Sequence, residues 1–279
     1  MTSPLRLPVA VETPQHASIG TLLDYESEHP LAPGTLVRVP LGKREVPGIV
    51  WSRGAAAAAE GVALRPIVAA LADLPPLSSA WLALVDFAAA YYQRGIGELA
   101  LAVLPPELRR LDGVQLARRL KRLAAEPPLL DAPVATGPAL TDEQSAVLAT
   151  LDDGALQPTL LHGVTGSGKT EVYLRAAEKV LRAGRQALVL VPEINLTPQL
   201  AARFAARFPG HRMVSLHSAL TPPQRLRHWL QAHQGQADLI LGTRLAVFAS
   251  LPRLGLIVVD EEHDPSFKQQ EGARYSARD

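Results

Sequence analysis

The sequence predicts an α/β protein in which a small mixed β/α domain precedes a lobe built on a parallel sheet. The lobe is predicted because residues 159–260 alternate short apolar runs with helical segments. Strands that alternate with helices of this length require right-handed crossovers, which produce a parallel sheet covered on both faces. The smaller domain is predicted because β-branched runs and then one helical pattern come before a proline-rich stretch.

Composition limits the class of protein. With 279 residues and 47% hydrophobic content, the chain can bury two modest cores. No run approaches the roughly 18 apolar residues of a membrane span, and the start lacks the layout of a secretory signal, so we expect a cytoplasmic protein without a membrane partner. The absence of cysteine excludes disulfides and thiolate zinc sites within these residues. A net charge of +1 means that any binding of DNA should depend on local groups, not on a global basic field.

Two β-branched runs in the first domain predict a hairpin. GTLVRVPLG (34–42) and GIVWS (48–52) are separated by the turn-prone GKREVPG, which is typical of a small barrel or sandwich. The alanine run 55–59 could form a helix, but Gly54 and Gly61 flank it, so we expect a loop.

A helix and a linker follow the hairpin. The segment SSAWLALVDFAAAYYQ predicts a helix that is capped by Ser78 and ends near Gly95. Residues 106–138 are proline-rich at both ends around a short basic helical piece, which predicts a linker. The predicted domains are therefore 1–105 and 139–279 on either side of it.

Caps and glycines mark the helices of the lobe. Thr197 and Thr221 each precede a proline at the first helical position, and Gly184 follows the end of an earlier helix. The predicted strands are TLLHG (159–163), QALVLVP (186–192), MVSLH (213–217), ADLILGT (237–243) and LGLIVVD (254–260), and the helices cover 170–184, 197–208 and 221–233.

A glycine loop between the first strand and helix of the lobe predicts a phosphate-binding site. GVTGSGKT (163–170) matches G-x-x-x-x-G-K-[ST], in which glycines let successive backbone N–H groups face phosphate oxygens. Lys169 would reach the outer phosphates, and the Thr170 hydroxyl would bind magnesium. The alternative is a purely structural glycine turn. The residues predicted to bind nucleotide here are Gly163, Thr165, Gly166, Ser167, Gly168, Lys169 and Thr170.

An acid pair after the last predicted strand supplies the catalytic carboxylates. The predicted catalytic residues are Lys169, Asp260 and Glu261. We expect Asp260 to hold the magnesium ion and Glu261 to orient and deprotonate the attacking water. An ordinary solvated acidic loop is the alternative. His263 is either a surface histidine or a residue that couples the phosphate site to a second ligand.

Several segments together resemble a known family. LTDEQ (140–144), GVTGSGKTEVYL (163–174), LVPEINLTPQL (190–200), LHSAL (216–220), GTRLAVF (242–248) and DEEHDPSFKQQEGARYSARD (260–279) resemble, in order and spacing, the first lobe of the superfamily 2 helicases of the PriA family, which act in bacterial replication restart. LDY (23–25), GTLVRVPLGKRE (34–45), GIVWS (48–52) and AAYYQRGIGE (89–98) resemble that family's domain for the 3′ end of a nascent strand.

The resemblance implies a RecA-like lobe and an ATP- and Mg²⁺-dependent DNA helicase that moves 3′→5′ and takes part in primosome assembly. It implies DNA as the main partner, at stalled forks, 3′ ends and single strands, together with primosome proteins and single-stranded DNA-binding protein. Gln144 would contact the adenine, while Thr243 and Arg244 would hold DNA phosphates.

The resemblance also assigns two further DNA contacts. In the final segment, Phe267 and Tyr275 would stack on bases while Lys268 and Arg274 face phosphates; the alternative is that both aromatic residues belong to the core. In the first domain, the resemblance implies that Asp24 and Tyr25 form a pocket for the terminal nucleotide. A hairpin aspartate and a buried tyrosine are the alternative there.

The sequence departs from the family pattern in three places. Residues 106–138 are too few for the winged-helix domain that the family usually carries, so we expect it to be missing. Ala273 stands where some relatives have an aromatic residue. The chain stops before the second lobe with its arginine finger and its zinc-binding cysteines, so we expect a fragment with little activity of its own, and zinc only in that missing part. The alternative hypothesis is a non-motor module that binds DNA ends and has a nucleotide-sensing lobe.

Overall fold

The computed structural model describes residues 4–13, 22–52, 63–127, 129, 132–151, 158–164 and 166–279. The predicted loop at 55–59 lies outside these ranges. Among the described residues the strands form two sheets, one of six strands in the first domain and one of four strands in the lobe. The predicted fold class is confirmed, because a mixed sheet comes first and a parallel sheet with helices follows it.

The first sheet is mostly antiparallel and has the order β5-β2-β1-β4-β3-β6. The predicted hairpin is confirmed. Its turn contains only Gly42 and Lys43, because the second strand already begins at Arg44, inside the segment that was predicted to be a turn. Gly42 has a φ of +61°, which glycine adopts without steric cost. The strands are β1 Leu5–Val11, β2 Leu22–Ser27, β3 Leu36–Leu41, β4 Arg44–Val50, β5 Arg65–Pro66 and β6 Ala69–Ala70.

Two helices, α1 Ser79–Tyr91 and α2 Ile96–Ala102, pack against this sheet. The Ser78 hydroxyl accepts from the backbone N–H of Trp81 at 3.2 Å, so the predicted cap is confirmed. The predicted stop at Gly95 is wrong: α1 already ends at Tyr91, and Gly95 is the residue that precedes α2.

The segment predicted as a linker contains a packed helix. This helix, α3 Gly113–Ala124, begins with a capping box in which Asp112 and Gln115 exchange hydrogen bonds. Its side chains Leu116 and Leu123 are buried in the same apolar cluster as the lobe helix that it contacts. The predicted basic helical piece is therefore confirmed, and it lies against the lobe.

The lobe sheet is parallel throughout and has the order β10-β7-β9-β8. The Thr197 hydroxyl accepts from the N–H of Leu200 at 3.2 Å, as its position before Pro198 predicts. The elements are α4 Asp142–Thr150, α5 Lys169–Arg182, β7 Gln186–Leu190, α6 Pro198–Arg207, β8 Met213–Leu216, α7 Pro222–His233, β9 Leu239–Gly242 and β10 Leu254–Val259.

The predicted strand at 159–163 does not form. These residues make no ladder pair with any described strand, and Leu160 is 75% exposed. Among the described strands β10 is at the edge of the sheet and pairs only with β7, so residues 159–163 do not add a strand on its free side. The carbonyl oxygens at the end of the segment, on Gly163 and Val164, instead accept hydrogen bonds from Lys169.

One hydrophobic core continues from the first domain into the lobe. Its buried members include Trp81 of α1 and Leu188 of β7. Buried hydrogen bonds also cross between the domains: the indole N–H of Trp81 donates to the Phe248 carbonyl at 2.8 Å, and the imidazole of His233 lies 2.8 Å from the Pro75 carbonyl. Within the described ranges, no helix is both long and apolar enough to cross a membrane.

Candidate functional site

The glycine loop begins α5, as the motif predicts. Gly166 and Gly168 both have φ angles of +85°, a conformation that side chains other than glycine rarely adopt. A Cβ atom on Gly168 would also lie 2.3 Å from the Gln144 amide nitrogen, so the Gln144 side chain would have to move away from the loop. Thr165 lies outside the described residues. The loop therefore has the backbone shape that brings N–H groups together around an anion.

Lys169 folds back across the loop. Its Nζ atom donates to the carbonyl oxygens of Gly163 at 2.6 Å and Val164 at 3.2 Å. The ammonium group therefore lies within the loop, and these two carbonyls are the contacts that a phosphate would replace. The Ser167 N–H closes the turn on Val164 at 3.2 Å.

Gln144 is fixed to the loop at its other side. Its Oε1 atom accepts from the Thr141 N–H at 3.0 Å, which completes a capping box at the start of α4. Its Nε2 atom lies 3.4 Å from the carbonyls of Ser167 and Gly168. Gln144 is thus adjacent to the phosphate loop, and its contact with adenine stays a prediction.

Tyr173 joins the two halves of the site, a role that the sequence reasoning missed. Its hydroxyl donates to Oδ2 of Asp260 at 3.3 Å. Tyr173 therefore connects α5, which begins at the phosphate loop, to the carboxylate predicted to bind magnesium. The signal was present in the sequence, because Tyr173 follows Thr170 by three positions and so shares its face of α5.

The charge states of this pair follow from burial. Burial raises the pKa of Asp260, and repulsion from Glu261 adds to the rise, while the Tyr173 hydrogen bond and the charge of Lys169 oppose it. Burial raises the pKa of Tyr173 to about 12, so its hydroxyl keeps its proton at neutral pH and acts as a donor to the carboxylate.

Glu261 and His263 lie at the mouth of the site. The backbone of Glu261 is in the left-handed region at φ +49°, which is uncommon outside glycine. Nε2 of His263 lies 3.6 Å from Oε2 of Glu261, and the histidine side chain is 76% exposed. His263 is thus a surface residue beside the predicted catalytic glutamate, and its coupling role stays a prediction.

Thr243 and Arg244 follow β9 and line a groove of about 370 Å³ beside the first domain. Thr243 is buried, and Nη1 of Arg244 donates to the Ser266 carbonyl at 3.0 Å while its Nε contacts Gln269. The Arg244 guanidinium thus ties the carboxy-terminal segment to the lobe. The contact of both residues with DNA phosphates stays a prediction.

The prediction that Phe267 and Tyr275 present their rings to bases is wrong for this structure. Phe267 is 2% exposed and Tyr275 is 4% exposed, and both belong to the main core cluster. The Tyr275 ring lies edge-on to Phe248, with ring centres 4.9 Å apart. The local polarity of the sequence suggested that no core was near, but Phe248 and Trp81 supply one from other parts of the chain. Lys268 and Arg274, by contrast, are exposed, and their contact with DNA phosphates stays a prediction.

The pocket predicted from Asp24 and Tyr25 stays a prediction; in this structure the arrangement is that of the alternative, a paired aspartate and a buried tyrosine. Both lie on β2, where alternate side chains point to opposite faces of the sheet. The Asp24 carboxylate pairs with the guanidinium of Arg6, and the Tyr25 hydroxyl donates to the Pro40 carbonyl at 3.1 Å. Tyr25 is 3% exposed in the core of the first sheet, so its ring has no face left for a base.

Comparison with known proteins agrees with this architecture. Residues 8–105 match a family model described as the PriA 3′DNA-binding domain, and residues 141–278 match the DEAD/DEAH box helicase model. The chain is 35% identical to the replication restart protein PriA of Treponema pallidum over 252 residues, which cover 88% of this chain and 36% of that protein. The PriA protein of Rickettsia felis is 33% identical over 246 residues with the same coverage, and that of Bacillus subtilis is 48% identical over 144 residues, 50% of this chain and 18% of that protein. The chain belongs to the PriA family.

Within the PriA family match, the two models divide the chain as the two sheets do. The 3′DNA-binding domain model covers β1 to α2, and the helicase model covers α4 to the carboxy-terminal segment. Helix α3 lies between the two models. The alignments with these PriA proteins span between 18% and 36% of the relatives' length, so the chain corresponds to an amino-terminal portion of them.

Proposed function

We propose that this chain is part of an ATP-dependent DNA helicase that moves 3′→5′, recognises stalled forks and nascent 3′ ends, and takes part in replication restart and primosome assembly. The observation that carries the proposal is the junction of the glycine loop with Asp260, where the hydroxyl of Tyr173, on the helix that begins at the loop, donates to the carboxylate at 3.3 Å. Such a junction is what a nucleotide with a bound metal ion requires.

The described residues fit ATP and Mg²⁺. The loop N–H groups and Lys169 are suited to the phosphates, and Thr170 and Asp260 offer two oxygen ligands of the kind that Mg²⁺ prefers. Bound ATP would supply the phosphoryl group whose hydrolysis drives movement. The chain's own part is to release Lys169 from the carbonyls of Gly163 and Val164, to keep the Asp260 carboxylate ionised beside the Tyr173 hydroxyl, and to accept a proton from water at Glu261.

The proposed partners are DNA, primosome proteins and single-stranded DNA-binding protein, in the cytoplasm. The names of the relatives support the place in replication restart, and the match of residues 8–105 supports DNA binding by the first domain. The closed arrangement of Asp24 and Tyr25 means that this conformation offers no end pocket at that position.

Nucleotide binding tests the first part of the proposal. We expect Lys169→Ala to abolish binding of a fluorescent ATP analogue and to leave binding of 3′-ended DNA intact. Lys121→Ala, an exposed lysine on α3, is the matched control and should change neither. Undiminished nucleotide binding by a folded Lys169→Ala variant would contradict the phosphate site.

Hydrolysis separates the motor from the non-motor alternative. DNA-stimulated ATP hydrolysis should be measured for this chain and for the product of its gene read to the natural stop codon. We expect rapid turnover only from the longer product, because the family closes its ATP site between two lobes. If the longer product binds DNA ends and nucleotide but does not hydrolyse ATP, the helicase proposal fails and the nucleotide-sensing module replaces it.

A further inference from the structure

Three arginines on α3 form a cationic face that the rest of the described chain does not neutralise. Arg118 and Arg122 are exposed and Arg119 is half-buried, and none of the three makes a hydrogen bond or an ion pair within the described ranges. Residues three or four positions apart are neighbours on a helix, so the three side chains lie together. Because Leu116 and Leu123 are the buried residues of α3, this arginine face is on the side that solvent reaches.

The acids beside α3 are already bound to other groups. The helix itself contains no aspartate or glutamate, and Asp112 at its start accepts from the Gln115 N–H at 2.7 Å. Glu126, just beyond the end of the helix, pairs with Arg227 of α7 at 2.8 Å and with Arg212. The arginine face therefore keeps its positive charge in the folded protein.

This arrangement lowers the stability of α3. Like charges three or four positions apart repel one another on a helix surface. The helix dipole compensates for a cation in the last turn, where Arg122 lies, but not for Arg118 in the middle of the helix. An anion bound along the arginine face would remove the repulsion, so the face fits a ligand better than it fits a structural role.

The chemistry of the arginine face indicates the phosphates of a DNA duplex. Guanidinium groups bind phosphate oxygens with two parallel hydrogen bonds, and such contacts hold the DNA backbone without reading its sequence. The sequence of α3 contains no aromatic residue, so the face has no ring on which an unpaired base could stack. Cations without rings favour a duplex, in which the bases are already paired and stacked and the phosphates are dense.

The position of α3 suits a duplex that lies beside the lobe. Helix α3 contacts α7, and Arg225 of α7 lines the same groove as Thr243 and Arg244, the residues predicted to hold DNA phosphates. A duplex on the arginine face would therefore adjoin that groove.

We propose that Arg118, Arg119 and Arg122 bind the phosphates of duplex DNA. The proposal rests on the proposed function and adds to it a duplex contact that lies between the matched ranges 8–105 and 141–278. Lys121 offers a comparison on the same helix. It is exposed and carries the same charge, but it lies about 100° around the helix axis from Arg122, away from the arginine face.

The test is binding of a fluorescein-labelled duplex to the purified chain, measured by anisotropy. The duplex is closed at both ends by hexaethylene glycol loops, so it offers neither a 3′ end nor an unpaired base. We expect Arg118→Gln combined with Arg122→Gln to weaken binding at least about tenfold at low salt and to lower the salt slope by about 1.8, because two phosphate contacts are lost. Arg122→Gln alone should weaken binding about threefold, whereas Lys121→Gln, which removes the same charge one position earlier, should change the affinity less than about twofold.

Two further readouts separate DNA binding from a structural role. Glutamine has nearly the helix propensity of arginine, and the double glutamine variant removes a repulsion, so its thermal unfolding temperature should not fall. Arg118→Lys combined with Arg122→Lys keeps both charges and should retain the salt slope, although the loss of bidentate contacts lowers the affinity.

Four outcomes would overturn the proposal. Unchanged duplex affinity in the double glutamine variant would show that the arginines take no part, and an equal loss in Lys121→Gln would show an effect of net charge alone. An equal loss of affinity for oligothymidylate would assign the face to single strands. Competition by polyglutamate as strong as that by the duplex would assign it to an acidic protein. Nucleotide binding through Lys169 should be unchanged in all these variants, so failure of this proposal can be told apart from failure of the proposed function.

Discussion

The contact between Tyr173 and Asp260 allows a direct test of the ATP site. Tyr173→Phe removes one hydroxyl and keeps the ring, which stacks on Phe204 with centres 6.2 Å apart. A hydrogen bond to a charged group contributes about 1.5 to 3 kcal/mol, and at 3.3 Å this bond is long, so we take about 1.5 kcal/mol. Since about 1.4 kcal/mol is a factor of ten, the affinity for nucleotide in the presence of Mg²⁺ should fall about tenfold.

The measurement is titration of a fluorescent ATP analogue with and without Mg²⁺. The loss should be confined to the titration with Mg²⁺, because the Tyr173 hydroxyl contacts Asp260, the carboxylate predicted to bind the metal ion. Thr35→Val, which removes another buried hydroxyl, in this case one bonded to the Ala32 carbonyl at 2.7 Å, is the control. Equal loss with and without Mg²⁺, or no loss at all, would refute the positioning role of Tyr173.

Two further predictions concern stability. Arg207→Met should lower the free energy of unfolding by about 1.5 kcal/mol in urea denaturation, because Arg207 is 7% exposed and pairs with Glu171 and Glu178, which keep Arg175 and Arg182 as partners; an unchanged free energy would contradict this. Burial lowers the pKa of His233 from 6.5, so the contribution of His233 to stability is complete above pH 6.5 and is lost as the pH falls below that value towards the folded pKa. His233→Gln should therefore flatten the dependence of the free energy of unfolding on pH in this range, and an unchanged slope would contradict the assignment.

Local signals were sufficient for the helix starts and for the phosphate loop. Ser78 and Thr197 accept hydrogen bonds three residues ahead, and that interaction depends only on neighbours in the chain. The glycine loop was predictable for the same reason, because the φ angles of Gly166 and Gly168 and the start of α5 are properties of consecutive residues.

Features that depend on distant residues could not be predicted in this way. The polarity around Phe267 and Tyr275 suggested exposure, but their burial depends on Phe248 and on Trp81 of the first domain, which no local pattern reveals. The segment 159–163 shows the opposite error: its composition favours a strand, but it does not pair with β10, the strand at the edge of the sheet. The Tyr173 contact was predictable only in part: its position three residues after Thr170 can be seen in the sequence, but its contact with Asp260 depends on a distant strand.

The same long-range contacts explain why the first domain and the lobe should respond to each other. The carboxy-terminal segment starts at Asp260, in the predicted ATP site, and is attached at Ser276 to Tyr92 of the first domain. The buried bond from Trp81 to the Phe248 carbonyl fixes the same two domains beside it. Because packed cores transmit strain, we expect a ligand that moves the end of α1 to move this segment as well, and its other end is the carboxylate predicted to bind the metal ion.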